Sequence, residues 1–170
     1  MNASYDLHPD RFATGAIGEP GQRVFFLQAV EDDEVVTLRV EKQQVAALAE
    51  YLAGILADLP PTDPVSPTEA DLVEPLTPAW TVGALAVAYD ESSDRVLIVA
   101  EELVALDEDT GEPEGEPASA RFHVTRAQVN GFIRRAVEVV RAGRPRCVIC
   151  GRPMDPSGHV CPRSNGHSSR

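Results

Sequence analysis

All three cysteines of the chain, and two of its four histidines, fall in the stretch CVICGRPMDPSGHVCPRSNGH, residues 147–167. Cys147-Val-Ile-Cys150-Gly has the form of a zinc knuckle. Two thiolates separated by two residues can face one ion when the backbone between them turns tightly, and Gly151 lets amides approach the sulfurs without a Cβ clash. Cys161, followed by proline, is the natural third ligand. The usual redox C-x-x-C opens a helix after a strand, whereas this pair runs into Gly-Arg-Pro and a turn, so metal binding is the better reading. Zinc is the expected ion. For the fourth ligand, Ser164 stands where many zinc ribbons carry a cysteine, and it is a poor donor; His159, His167 and Asp155 remain. His159 and Cys161 point to the same side of an extended strand, and Gly158 frees the backbone to converge them. His167 lies near a Ser-Ser-Arg end whose ordering would cost entropy. His159 is therefore preferred. Three sulfurs and an imidazole form a closed tetrahedral set with no position for water, which predicts a structural zinc.

Two further constellations could do chemistry. Asp6, His8, Asp10 and Arg11 crowd together in YDLHPDRFATGAIGEPGQR (5–23) and could form an acid/base or anion site, although surface ion pairs are the more economical reading. Arg121 and His123 alternate on one strand face, and Arg39 stands at the position matching His123 in the internal repeat described below, which raises a paired Arg39/His123 anion site. Arg134, Arg135, Arg141, Arg144, Arg146, Arg152 and Arg163 gather toward the C-terminal end. They suit a phosphate group, or the negative end of a helix dipole. No phosphate-binding loop, nucleophile elbow or H-E-x-x-H helix occurs.

The elements that must position these residues show a repeat. LRVEKQQV (38–45) and FHVTRAQV (122–129) share a pattern, as do RVFFL (23–27) and RVLIV (95–99), and FATGAI (12–17) and WTVGAL (80–85), in the same order. The apolar runs read as strands, and EDDE (31–34) and DESSD (90–94) as turns between them. Val45, Leu48, Ala49, Leu52, Ile55, Leu56 and Leu59 recur at helical spacing, as do Val129, Phe132, Ile133, Ala136, Val137 and Val140. The expected fold is α+β: a duplicated β-β-β-α unit forming one antiparallel-rich sheet of about six strands with two helices on one face, plus a C-terminal zinc hook. The repeats span about 12–58 and 80–142. The Pro-rich segment 59–79 connects them, so that residues 1–142 form one domain and 143–170 the hook tail.

The chain of 170 residues carries a net charge of −12, but unevenly. Residues 1–118 hold 25 acidic against 5 basic side chains, net −20, and residues 119–170 hold 10 against 2 in the opposite sense, net +8. A basic end could receive an anionic partner, or pair with the acidic part of its own chain or of a second copy. Nucleic acid is disfavoured, because aromatics are only 5% of residues and the acidic part would repel a polyanion. The beginning, MNASYDLHPDRF, lacks a secretion signal, no apolar run is long enough to span a membrane, and clustered free cysteines suit a reducing compartment, so a cytoplasmic protein is expected.

SYDLHPDRFATGAIGEPGQRVFFLQA and the hook sequence together resemble an uncharacterised actinobacterial family, the domain of unknown function DUF3090. The resemblance implies no established activity; it implies a shared phosphate-related process, since members tend to be encoded beside phosphomutase-like and kinase-like proteins. The family ending G-H-x-C-P-R-x-N-G fits Gly158, His159, Cys161, Pro162, Arg163, Asn165 and Gly166 and leaves His167 outside, which favours His159 as ligand. The expected function is a non-enzymatic zinc-binding accessory or interaction protein whose zinc shapes a basic C-terminal surface. The alternative is an enzyme or ligand-binding domain acting on a small phosphorylated compound through residues 5–23 and the arginines. A protein or small anionic ligand is the expected partner, and a homo-oligomer is left open.

Overall fold

Runs of β-branched and aromatic residues become strands wherever a turn lets them pair. In the computed structural model, which describes residues 3–142, 147–152 and 161, the order is β1 (Tyr5–Leu7), β2 (Arg11–Ile17), β3 (Val24–Glu31), β4 (Glu34–Val40), α1 (Lys42–Asp58), β5 (Val82–Asp90), β6 (Arg95–Glu102), β7 (Ser119–Val124) and α2 (Arg126–Arg141). The β3–β4 turn places Asp32 at φ 52°, a left-handed conformation that aspartate tolerates better than most side chains. The Asp10 carboxylate accepts the Asp32 amide at 2.8 Å and so holds the turn.

The strands form two sheets, not the single sheet of about six expected from the repeat. One has the order β1-β7-β6-β5 and the other β2-β3-β4. Every pairing is antiparallel except β1 with β7. The break falls between β4 and β5, whose connection is one parallel bridge, Arg39 with Thr81. There β5 shifts register between Val82 and Ala84, and Gly83 lies so close to Leu103 that an added Cβ would be 2.9 Å from its Cα. A bulge of this kind bends a strand and ends regular pairing. One core nonetheless joins both sheets and both helices: Phe12 on β2, Phe122 on β7 and Phe132 on α2 are essentially inaccessible to solvent, with ring centroids 5.6 Å (Phe12–Phe122) and 5.1 Å (Phe12–Phe132) apart.

Both helices begin where a polar side chain meets the orphan amides of the first turn. Gln44 accepts the Glu41 amide at 2.8 Å; Thr125 and Gln128 exchange bonds at 2.9 and 3.1 Å. Gln128 is buried and also donates to the Pro9 carbonyl at 2.6 Å, which ties the start of α2 to the backbone beside His8. Val45, Leu48, Ala49 and Leu52 are buried on α1, and Val129, Phe132, Ala136 and Val139 on α2.

The connector 59–79 is docked on the fold. Gln28, almost fully buried, donates to Thr37 Oγ1 at 3.0 Å and to the Val73 carbonyl at 2.7 Å while accepting the Val73 amide at 2.7 Å. Thr14 donates to the Ala70 carbonyl at 3.1 Å, and Thr68 to the Ala127 carbonyl at 3.2 Å. Gly131 on α2 makes room for this path, since a Cβ there would sit 2.1 Å from the Thr68 carbonyl oxygen. Gly131→Ala should therefore lift the connector and cost about 1–3 kcal/mol, the usual range for forcing atoms into a packed site. Denaturant titration checks this; an unchanged midpoint would show that the connector moves aside freely.

Candidate functional site

Backbone turning brings the cysteines together. Gly151, at φ 72°, donates its amide to the Cys147 carbonyl at 2.8 Å, and the Cys147 amide donates to the Arg152 carbonyl at 2.8 Å. The Sγ atoms of Cys147, Cys150 and Cys161 then lie within 4.8 Å of one another, with Cys147 and Cys161 buried and no disulfide among them. A zinc–sulfur bond of about 2.3 Å puts tetrahedral sulfurs about 3.8 Å apart, so closing the three around an ion is a small contraction. The Arg152 amide lowers the Cys150 pKa, but burial, hydrogen bonds with Cys147 and Cys161 and the charge of Cys147 outweigh it, and the net shift is upward. The donor set fits a soft or borderline metal. His159, His167 and Asp155, the candidates for the fourth position, lie outside the described residues, as do Arg144, Arg146 and Arg163. The turn exposes Val148 completely and Ile149 by half.

The second constellation is assembled by β1, a three-residue strand. Parallel pairing sets Asp6 opposite Arg121 and Leu7 opposite Phe122. Leu7 and Phe122 point into the core, so Asp6, His8, Arg121 and His123 share the outer face. His123 Nε2 lies 2.8 Å from Asp6 Oδ1, and the His8 and His123 rings stack with centroids 4.3 Å apart and planes 12° from parallel. Residues from both sequence constellations thus meet here. Others do not join them: Asp10 caps the β3–β4 turn, and Arg11 binds the Asp71 carbonyl at 2.8 Å and Glu69 at 3.4 Å on the connector. Arg39 lies on β4 in the other sheet, opposite Phe26 and bridged to Thr81.

Sequence reasoning missed a third cluster, Tyr89, Asp94 and Arg126. The Tyr89 hydroxyl donates to Asp94 at 2.6 Å, Arg126 Nε donates to the same carboxylate at 2.9 Å, and Arg126 reaches the Pro60 carbonyl at 3.2 Å. The bond from Tyr89, then that from Arg126, holds the Asp94 carboxyl below the usual carboxylate range, and the Asp94 bond raises Tyr89. The cluster pins the β5–β6 turn, where Asp94 has φ 50°, to the start of α2 and of the connector. Its sequence signal, an arginine just after a helix cap, is too common to point anywhere.

Among the described residues, no helix is long and apolar enough to cross a membrane. No curated protein and no solved structure matches the chain. One family model, described as a protein of unknown function (DUF3090), matches residues 4–161, a span that begins just before β1 and ends on the third cysteine.

Proposed function

The chain belongs to the DUF3090 family, and we propose that it acts there as a non-enzymatic accessory protein whose C-terminal hook holds one structural zinc ion and presents a shaped, basic surface to a partner. The observation that carries this reading is the convergence of three sulfurs within 4.8 Å, two of them buried beside a turn that exposes Val148 and Ile149. Zinc suits three thiolates, and His159 completes a closed tetrahedral set in which the ion fixes the turn and activates no water. Exposed Val148 and exposed Arg152 give the knuckle both an apolar side chain and positive charge. A protein or small anionic partner fits that surface, and reduced cysteines fit the cytoplasm. Strand-strand-strand-helix order occurs twice, with the three matched sequence blocks at corresponding places, and we read this as an internal duplication. The alternative, action on a phosphorylated compound through residues 5–23, has less support because Asp10 and Arg11 are already engaged by the turn and the connector.

Elemental analysis of protein never exposed to chelator should give one zinc per chain at the cysteine site. His159→Ala should weaken that binding far more than His167→Ala. Thiols that take up no zinc after reduction and addition of metal would end this reading; equal losses from both histidine variants would remove the assignment of the fourth ligand.

A further inference from the structure

Asp6, His8 and His123 place one carboxylate oxygen and two imidazoles within 4.8 Å of one another on the outer face of the β1–β7 pair. We propose that these three side chains form a second metal site, separate from the cysteine hook, for a divalent first-row transition ion. The donor set decides the class. Imidazole favours zinc, cobalt, nickel or copper, whereas calcium and magnesium select oxygen ligands. Strand pairing supplies the preorganisation: Asp6 and His8 flank buried Leu7, and His123 lies between buried Phe122 and Val124, so the core behind them fixes the spacing of the three donors. Gln128 holds the Pro9 carbonyl at 2.6 Å and steadies the backbone that carries His8.

The surroundings favour a cation over an anion. Glu31 accepts the His8 amide at 3.3 Å, and Asp10 with Asp32 forms the adjoining turn. Arg121, paired opposite Asp6, brings an opposing charge to that face, while Arg11 is engaged by the connector. Metal entry exchanges the His123–Asp6 contact at 2.8 Å for two metal bonds and turns the exposed His8 ring out of its parallel stack so that its lone pair converges. Three protein ligands leave further coordination positions to solvent or to a bound anion, unlike the closed hook.

Cobalt(II) titration of the full chain tests this, because thiolate-to-cobalt charge-transfer absorption reports the hook and not an imidazole–carboxylate site. Wild-type protein should bind a second equivalent that adds no such absorption. The Cys147→Ser, Cys150→Ser double variant should retain it. His8→Asn, His123→Gln and Asp6→Asn should each weaken that equivalent by about tenfold or more, at least the loss seen when outer-shell partners are removed, while the thiolate band keeps its intensity. His8 is exposed, so its variant reads the site without disturbing the core. A wild-type chain with no second equivalent, or one whose affinity is unchanged in all three variants, overturns the proposal. Failure of the thiolate band alone would instead strike the zinc reading of the hook.

Discussion

Phe132→Ala is expected to destabilise the folded chain by about 3–5 kcal/mol, the range for removing a phenyl ring from a packed core. Phe132 is fully buried on α2, and Phe12, its neighbour at 5.1 Å, itself packs on Phe122 at 5.6 Å. The three rings therefore join a strand of each sheet to one helix. Domains of this size are stable by about 5–15 kcal/mol in total, so the variant should lie near the edge of folding. Urea titration should show a much lower midpoint at an unchanged slope. Val137→Ala on the same helix is the control: the residue is 40% exposed, and the loss should be well under that of Phe132. Equal losses from the two variants would mean that the aromatic cluster does not hold the sheets together.

What could be read from the sequence depended on whether the cause was local. Helix periodicity is local, and Val45, Leu48, Ala49 and Leu52 on α1, like Val129, Phe132 and Ala136 on α2, occupy the buried stripes that their spacing implies. Leu59 falls one residue past α1 as its cap, where a preference for apolar residues gives no stop signal. The cysteine cluster was legible for the same reason, since ligands of a knuckle are close in sequence.

Tertiary causes were not legible. β1 has three residues, too few for a pattern, and its partner Phe122 lies more than a hundred positions away. For that reason Asp6 and His8 were read as one constellation and His123 as part of another. The two sheets part beside Gly83, where β5 shifts register against β6 and the backbone passes close to Leu103, a tertiary contact that no local pattern marks. Docking of the connector rests on Gln28, a buried amide that no apolar pattern would mark as central. The acidic stretch after β6 reads as plain solvated charge, yet Asp107 accepts the amides of Asp109 and Thr110 at 2.8 and 2.9 Å and closes a turn.

The double variant Cys147→Ser, Cys150→Ser should abolish metal binding at the hook, because hydroxyls replace the two thiolates on which the knuckle depends. Its structural consequence tests whether the tail is a separate unit. Among the described residues, the large core cluster shared by the sheets and helices draws on positions up to Val139 and on none of the cysteines. On the proposed zinc reading the metal holds the turn at residues 147–152, and removing it should release that turn alone. Hydrogen exchange should show lost protection at residues 147–152, with the strands and helices of 5–141 still protected. Losing the ion along with two thiolates takes a zinc site of three thiolates and one imidazole from net −1 to neutral and leaves the arginines charged, so a partner that recognises the fixed shape of the hook should be lost at any ionic strength. One held by charge alone should persist at low salt and fade as screening shortens the reach of the arginines. Loss of protection throughout β1–β7 in the variant would show that the metal supports the whole fold, and the hook would then be part of the domain rather than an appendage to it.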